Sequence, residues 1–68
     1  MEVCQKLVYL RGILNLSQEG LARELGVSFA TINRWENEHY APNKRYLIAI
    51  DEFAKRNGIQ FDKVKDKN

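Results

Sequence analysis

Apolar residues open the chain at Val3, Leu7, Leu10 and Leu14, at steps of four, three and four. That is one stripe of an amphipathic helix, and it predicts a first helix over residues 2–14. Gly12 weakens its last turn and Asn15 ends it. The regularity then breaks. Leu21, Leu25, Val27, Ile32 and Trp35 follow at steps of four, two, five and three, which neither one helix nor a strand can keep. Cap chemistry resolves the irregularity. Ser17 offers an N-cap whose hydroxyl can accept from the N–H of Gly20 or its neighbour, with Leu16 and Leu21 as a hydrophobic staple around it. Gly26 stands where a helix end needs positive φ. Ser28 caps again, and Val27 staples to Ile32. Two short helices, 18–25 and 29–37, are therefore expected, and the step of two is the tight turn between them. Gly20 is an oddity, costing up to ~1 kcal/mol against alanine in a helix interior.

Pro42 closes the loop "EHYAP", and Asn43 can cap a fourth helix over 44–57. Its expected buried stripe is Leu47, Ile50, Phe53 and Ala54, with Tyr46 at the margin. Asn57-Gly58 ends it and Ile59 folds back onto the core. The domain so defined spans 1–59, and the charge-alternating segment 60–68 is expected as a flexible polar tail. Phe61 and Val64 also allow an extended segment that pairs with a partner.

Composition narrows the class. A chain of 68 residues with 44% hydrophobic and 29% charged residues is one small globular domain. At this size it buries roughly 60% of its unfolded surface, so its core is thin. One cysteine excludes an internal disulfide, and Cys4 with His39 cannot supply the four ligands of a structural zinc site. Cys4 is best taken as a small apolar residue on a helix. No bilayer-spanning run and no signal peptide are legible, so a cytoplasmic, nucleoid-associated place is expected. Net charge is +2, which permits nucleic acid without demanding it. Residues 17–41 carry Glu19, Glu24, Glu36 and Glu38 against Arg23 and Arg34, while Lys44, Arg45, Lys55, Arg56, Lys63, Lys65 and Lys67 all lie beyond them. No nucleophile–base pair, paired carboxylates, metal set or phosphate loop can be assembled. An enzyme, a cofactor and a small-molecule ligand are therefore not expected.

Two short helices joined by a glycine turn, with a supporting helix on each side, describe a helix-turn-helix. In that arrangement the first helix braces the second at a steep angle, so that one face of the second projects into a major groove. Residues 16–42, with "LSQEGLARELGVS", Ile32 and "RWEN" leading to Pro42, resemble the lambda-repressor-like (Cro/repressor, XRE) family of DNA-binding domains. The resemblance extends outward to Arg11 and to "FAKRNGI" at 53–59. It implies a compact all-α fold of four to five helices that binds double-stranded DNA through helix three.

The family's functional positions carry over by residue. Gln18 is similar to the family glutamine that approaches a phosphate and can brace the first recognition side chain. On helix three, periodicity leaves Ser28, Phe29, Ala30, Asn33 and Arg34 for bases and Asn37 for the backbone. Arg34 suits guanine, Asn33 adenine, and Phe29 with Ala30 the thymine methyl. Each has a plainer alternative. Phe29 could pack sideways against helix two or another domain, Arg34 could pair with Glu38 at i+4, and Asn33 could be an ordinary surface amide. Phosphate contacts are expected from His39, Tyr40, Asn43, Lys44 and Arg45, aided by the dipole of helix four. The resemblance also implies that Arg11 and Glu36 form a partly buried, structural ion pair.

Three departures from the family pattern stand out. Glu38 occupies a position where glycine is common, helix four is about one turn longer, and Gly20 loosens helix two. Specific recognition in such domains uses two half-sites, so a homodimer on DNA or a second domain is expected. The function expected is that of a prokaryotic or phage transcriptional regulator. The alternatives are a DNA-targeting or protein-interaction module of a larger protein, or of a toxin–antitoxin or restriction-modification system. The acidic residues between 17 and 41 make the protein-interaction alternative thinkable.

Overall fold

The computed structural model describes residues 2–61. Four helices, α1 (Val3–Leu14), α2 (Gln18–Leu25), α3 (Phe29–Glu36) and α4 (Lys44–Arg56), make up the fold of the described residues. Residues 62–68, most of the expected tail and including Val64, lie outside them.

Serine and asparagine caps start three of these helices. Ser17 Oγ accepts from Gly20 N–H at 2.9 Å, Ser28 Oγ from Thr31 N–H at 3.1 Å, and Asn43 Oδ1 from Tyr46 N–H at 3.1 Å. Gly20 is no accident of composition. A Cβ there would lie 3.3 Å from both Leu16 Cδ2 and Ser17 Oγ, so its absence lets the staple and the cap close over the first turn.

All four helices end in the same way. A residue in the left-handed region follows or closes each: Asn15 at φ 57°, Gly26 at 73°, Glu38 at 63° and Gly58 at 76°. The next N–H then reaches back five residues, from Leu16 to Arg11, Val27 to Ala22, His39 to Arg34 and Ile59 to Ala54, at 2.9–3.0 Å. These bonds satisfy carbonyls that the helix leaves orphaned. The reversal also turns Leu16, Val27 and Ile59 back towards the core.

That core is Leu7 and Leu10 of α1, Leu21 and Ala22 of α2, Ile32 and Trp35 of α3, Ile50, Phe53 and Ala54 of α4, and Ile59. Leu25 and Val27, beside the turn, are only partly buried. Leu47 departs from expectation, being 40% exposed. Tyr46 takes the inward place at that level, its ring 5.4 Å from that of Trp35. Packing also runs past residue 59, since Phe61 lies 6.2 Å from the ring of Tyr9 on α1.

Candidate nucleic-acid interface

α3 is held at both ends, and this decides which of its faces is free. At its start the Gly26 turn and the Ser28 cap set its direction. At its end Arg11 of α1 grips Glu36 with two bonds, Nε to Oε2 at 2.8 Å and Nη2 to Oε1 at 3.0 Å. The Glu36 side chain is only 7% exposed and that of Arg11 26%. The carboxylate, through this hydrogen bond, raises the Arg11 guanidinium above its ordinary pKa, although burial opposes the shift. Arg11 Nη1 also donates to Leu16 O at 3.4 Å.

With Ile32 and Trp35 buried, Ser28, Phe29, Ala30, Arg34 and Asn37 are left exposed, and Phe29 shows 49% of its surface. Phe29 thus keeps about half of its surface open to solvent. Arg34 does not turn to Glu38. Its guanidinium sits over the Tyr40 ring at 5.6 Å from the centroid, while Glu38 accepts from Cys4 Sγ at 3.3 Å. Thr31, Arg34, Trp35 and Tyr40 line a shallow cleft of about 210 Å³ beside this face. Thr31 is a residue that sequence reasoning missed. Its Oγ1 lies 2.9 Å from Ser28 Oγ, and its place three residues after the cap was the available signal.

Several expected contact residues carry structural duties as well. Ser28 and Asn43 spend an oxygen on capping α3 and α4. Asn37 Nδ2 donates to the Asn33 carbonyl at 2.8 Å and so closes the end of α3. Lys44, Arg45 and Tyr40 are exposed, the two basic residues at the first turn of α4.

The side chain of Gln18 bonds within the protein, though not to the first side chain of α3. The first side chain of α3 is Phe29, which offers nothing to hydrogen-bond. Gln18 instead donates through Nε2 to Glu36 Oε1 at 2.8 Å and accepts at Oε1 from Asn33 Nδ2 at 3.3 Å. Asn33, half-buried, accepts in turn at Oδ1 from Asn37 Nδ2 at 3.3 Å. Arg11, Glu36, Gln18, Asn33 and Asn37 therefore form one chain of bonds from inside the fold to the free face of α3.

Among the described residues no helix is long and apolar enough to cross a membrane, and no group of three His, Cys, Asp or Glu could hold a metal ion.

Comparison with known proteins agrees with this architecture. The family model described as "Helix-turn-helix" matches residues 7–57. An "HTH-type transcriptional activator BcrR" of Enterococcus faecalis is 43% identical over 53 residues, 78% of this chain and 26% of the relative. An "Uncharacterized HTH-type transcriptional regulator MJ0272" of Methanocaldococcus jannaschii is 44% identical over 48 residues, 71% of this chain and 73% of the relative. The chain thus spans about a quarter of the first relative's length and about three quarters of the second's. No solved structure matched.

Proposed function

The chain belongs to the helix-turn-helix family, in its lambda-repressor-like form, and on that premise we propose that it is a sequence-specific regulator of prokaryotic or phage transcription. α3 enters the major groove of duplex DNA. Ser28, Phe29, Ala30, Asn33 and Arg34 read bases. Gln18, Asn37, Tyr40, Asn43, Lys44 and Arg45 lie along the phosphates, where the first-turn N–H groups of α2 and α4 favour an anion. The protein works in the cytoplasm, as a pair of copies on two half-sites, and catalyses no reaction.

One observation carries this function. A short helix pinned at both ends keeps an exposed phenylalanine, an alanine and an arginine together on its outer side. A solvated helix has no use for half of Phe29 in water, whereas a thymine methyl gives it a partner. Of the acidic residues that made a protein-interaction module thinkable, two carboxylates already have partners within the fold. Glu36 is taken by Arg11, and the Glu38 carboxylate accepts from Cys4.

The test is binding to random and selected duplexes across a salt series. Log K should fall against log salt with a slope of roughly −3 to −6 per monomer, about −0.9 for each phosphate contacted. Arg34→Ala should flatten preference among sequences, and Lys44→Ala should weaken all sequences alike. A protein with no measurable affinity at low salt would leave the interaction-module alternative standing.

A further inference from the structure

The chain of bonds between Arg11 and Asn37 has a direction, and the direction has a consequence for base reading. A carboxylate paired with a guanidinium can only accept hydrogen bonds. Glu36 therefore takes the amide NH2 of Gln18, at 2.8 Å from Oε1, and never its carbonyl. With its NH2 committed, Gln18 can show Asn33 only the carbonyl oxygen, and Asn33 must answer with its own NH2, at 3.3 Å. The Asn33 oxygen is then left on the other side, where Asn37 Nδ2 meets it at 3.3 Å. Neither amide is free to turn end for end without facing like groups together. An ordinary surface asparagine has no such constraint, because its two ends exchange at little cost in water.

Counting valences gives what remains. The Asn33 NH2 has two hydrogens and spends one on Gln18. Its oxygen has two lone pairs and spends one on Asn37. One donor and one acceptor are left, in an orientation set from inside the protein. Adenine presents that complement in the major groove, an N7 acceptor beside an N6 donor. We infer that the buried Glu36 carboxylate is a positioning group for sequence recognition: acting through Gln18, it sets which way round the Asn33 amide faces and makes Asn33 an adenine reader. This rests on the DNA-binding function proposed above. It also gives Gln18 a task beyond a phosphate contact, one turn further along α3 than the first recognition side chain.

Variants of Gln18 test it, because Gln18 is half-buried at the start of α2 and can be changed without opening the core. Site selection with the wild-type protein and with Asn33→Ala identifies the base position that Asn33 reads. Gln18→Ala, and Gln18→Met as a variant that keeps the bulk of the side chain, are then measured on duplexes with each base at that position. A duplex carrying 7-deazaadenine there removes the N7 acceptor. The expected result is a wild-type preference for adenine of about tenfold, lost in Asn33→Ala, cut to about threefold or less in both Gln18 variants, and matched by a smaller penalty for 7-deazaadenine. Preferences at the position read by Arg34 stay as they are. If both Gln18 variants weaken every duplex by one factor and keep the adenine preference, Gln18 is a phosphate contact and the relay does not position Asn33. The relay is equally overturned if Asn33→Ala changes preference nowhere. A wild-type protein without affinity for any duplex would instead overturn the DNA-binding function, and the relay's role in recognition with it.

Discussion

Two single residues show how local chemistry and tertiary contact meet. Cys4 is buried on α1, and its thiol donates to the carboxylate of Glu38. Burial, then the hydrogen bond and charge of Glu38, raise the thiol's pKa above its ordinary value. A raised folded-state pKa means that the stabilising contribution is complete below the unfolded thiol's pKa and is lost as pH climbs through the folded one. Alkylation of Cys4 should therefore be slow at pH 7–8 and become fast only on unfolding; rapid modification of the native protein at pH 7.5 would contradict this. Glu38 itself sits at φ 63°, a conformation that costs a side-chain-bearing residue about 1–2 kcal/mol relative to glycine's freedom. Against that stands one weak thiol bond. Glu38→Gly should raise stability by about 1 kcal/mol, or roughly 4–8 °C in Tm for a domain of this size. Urea denaturation reads the difference, and a loss of stability would mean that the Cys4 contact outweighs the backbone strain. The family resemblance marks Glu38 as standing where glycine is common, but its partner lies 34 residues away and cannot be read from spacing.

Among the helices, the repeated left-handed ending is the feature that makes the architecture possible in so few residues. Each reversal satisfies a carbonyl and redirects the chain, so no loop has to wander between α1, α2 and α3. Gly26 bears the heaviest demand, because it sets the angle between the bracing helix and α3. Nothing lies within 4 Å of a Cβ built on Gly26, so an alanine there would suffer only from its backbone at φ 73°. Gly26→Ala is expected to cost about 1–2 kcal/mol, opposite in sign to Glu38→Gly although both exchange glycine with another residue at the same kind of turn. Paired thermal melts of the two variants would check this, and shifts of the same sign would show that left-handed strain is not the governing term. Helix starts and ends are legible from Ser17, Ser28, Asn43, Gly26 and Asn57-Gly58, and the observed bounds lie within one residue of those expected. Leu47 escapes the pattern for a physical reason. Periodicity gives the direction of a side chain, but not whether a neighbour such as Tyr46 has filled the space it points towards.

At the scale of the whole molecule, the thin core leaves a larger share of the stability to the bidentate bond between Arg11 and Glu36. Removing Glu36 strands a guanidinium whose side chain is only 26% exposed. Glu36→Ala should therefore cost about 2–3 kcal/mol, between the ~0–1 of a surface pair and the 3–5 of a fully buried one. Denaturant titration of both single variants and the double variant gives the coupling, and additive losses would show that the pair is not a clamp. Because α3 hangs on that clamp, the same variant should weaken DNA binding beyond what its stability loss explains. What the sequence alone determined is the set of elements: apolar stripes, caps and left-handed stops are local, acting over one or two turns. The candidate reading face was also legible by subtraction, since Ile32 and Trp35 claim one side of α3 and leave Phe29, Ala30 and Arg34 on the other. Tertiary structure decided the rest. Cys4 on Glu38 and the ordered chain from Glu36 through Gln18 to Asn33 join segments whose meeting depends on how helices cross, and Arg34 meets Tyr40 through the course of the loop after α3. Side-chain hydrogen bonds act over about 3 Å and carry no periodicity, so their partners exist only once the core has packed and set the distances.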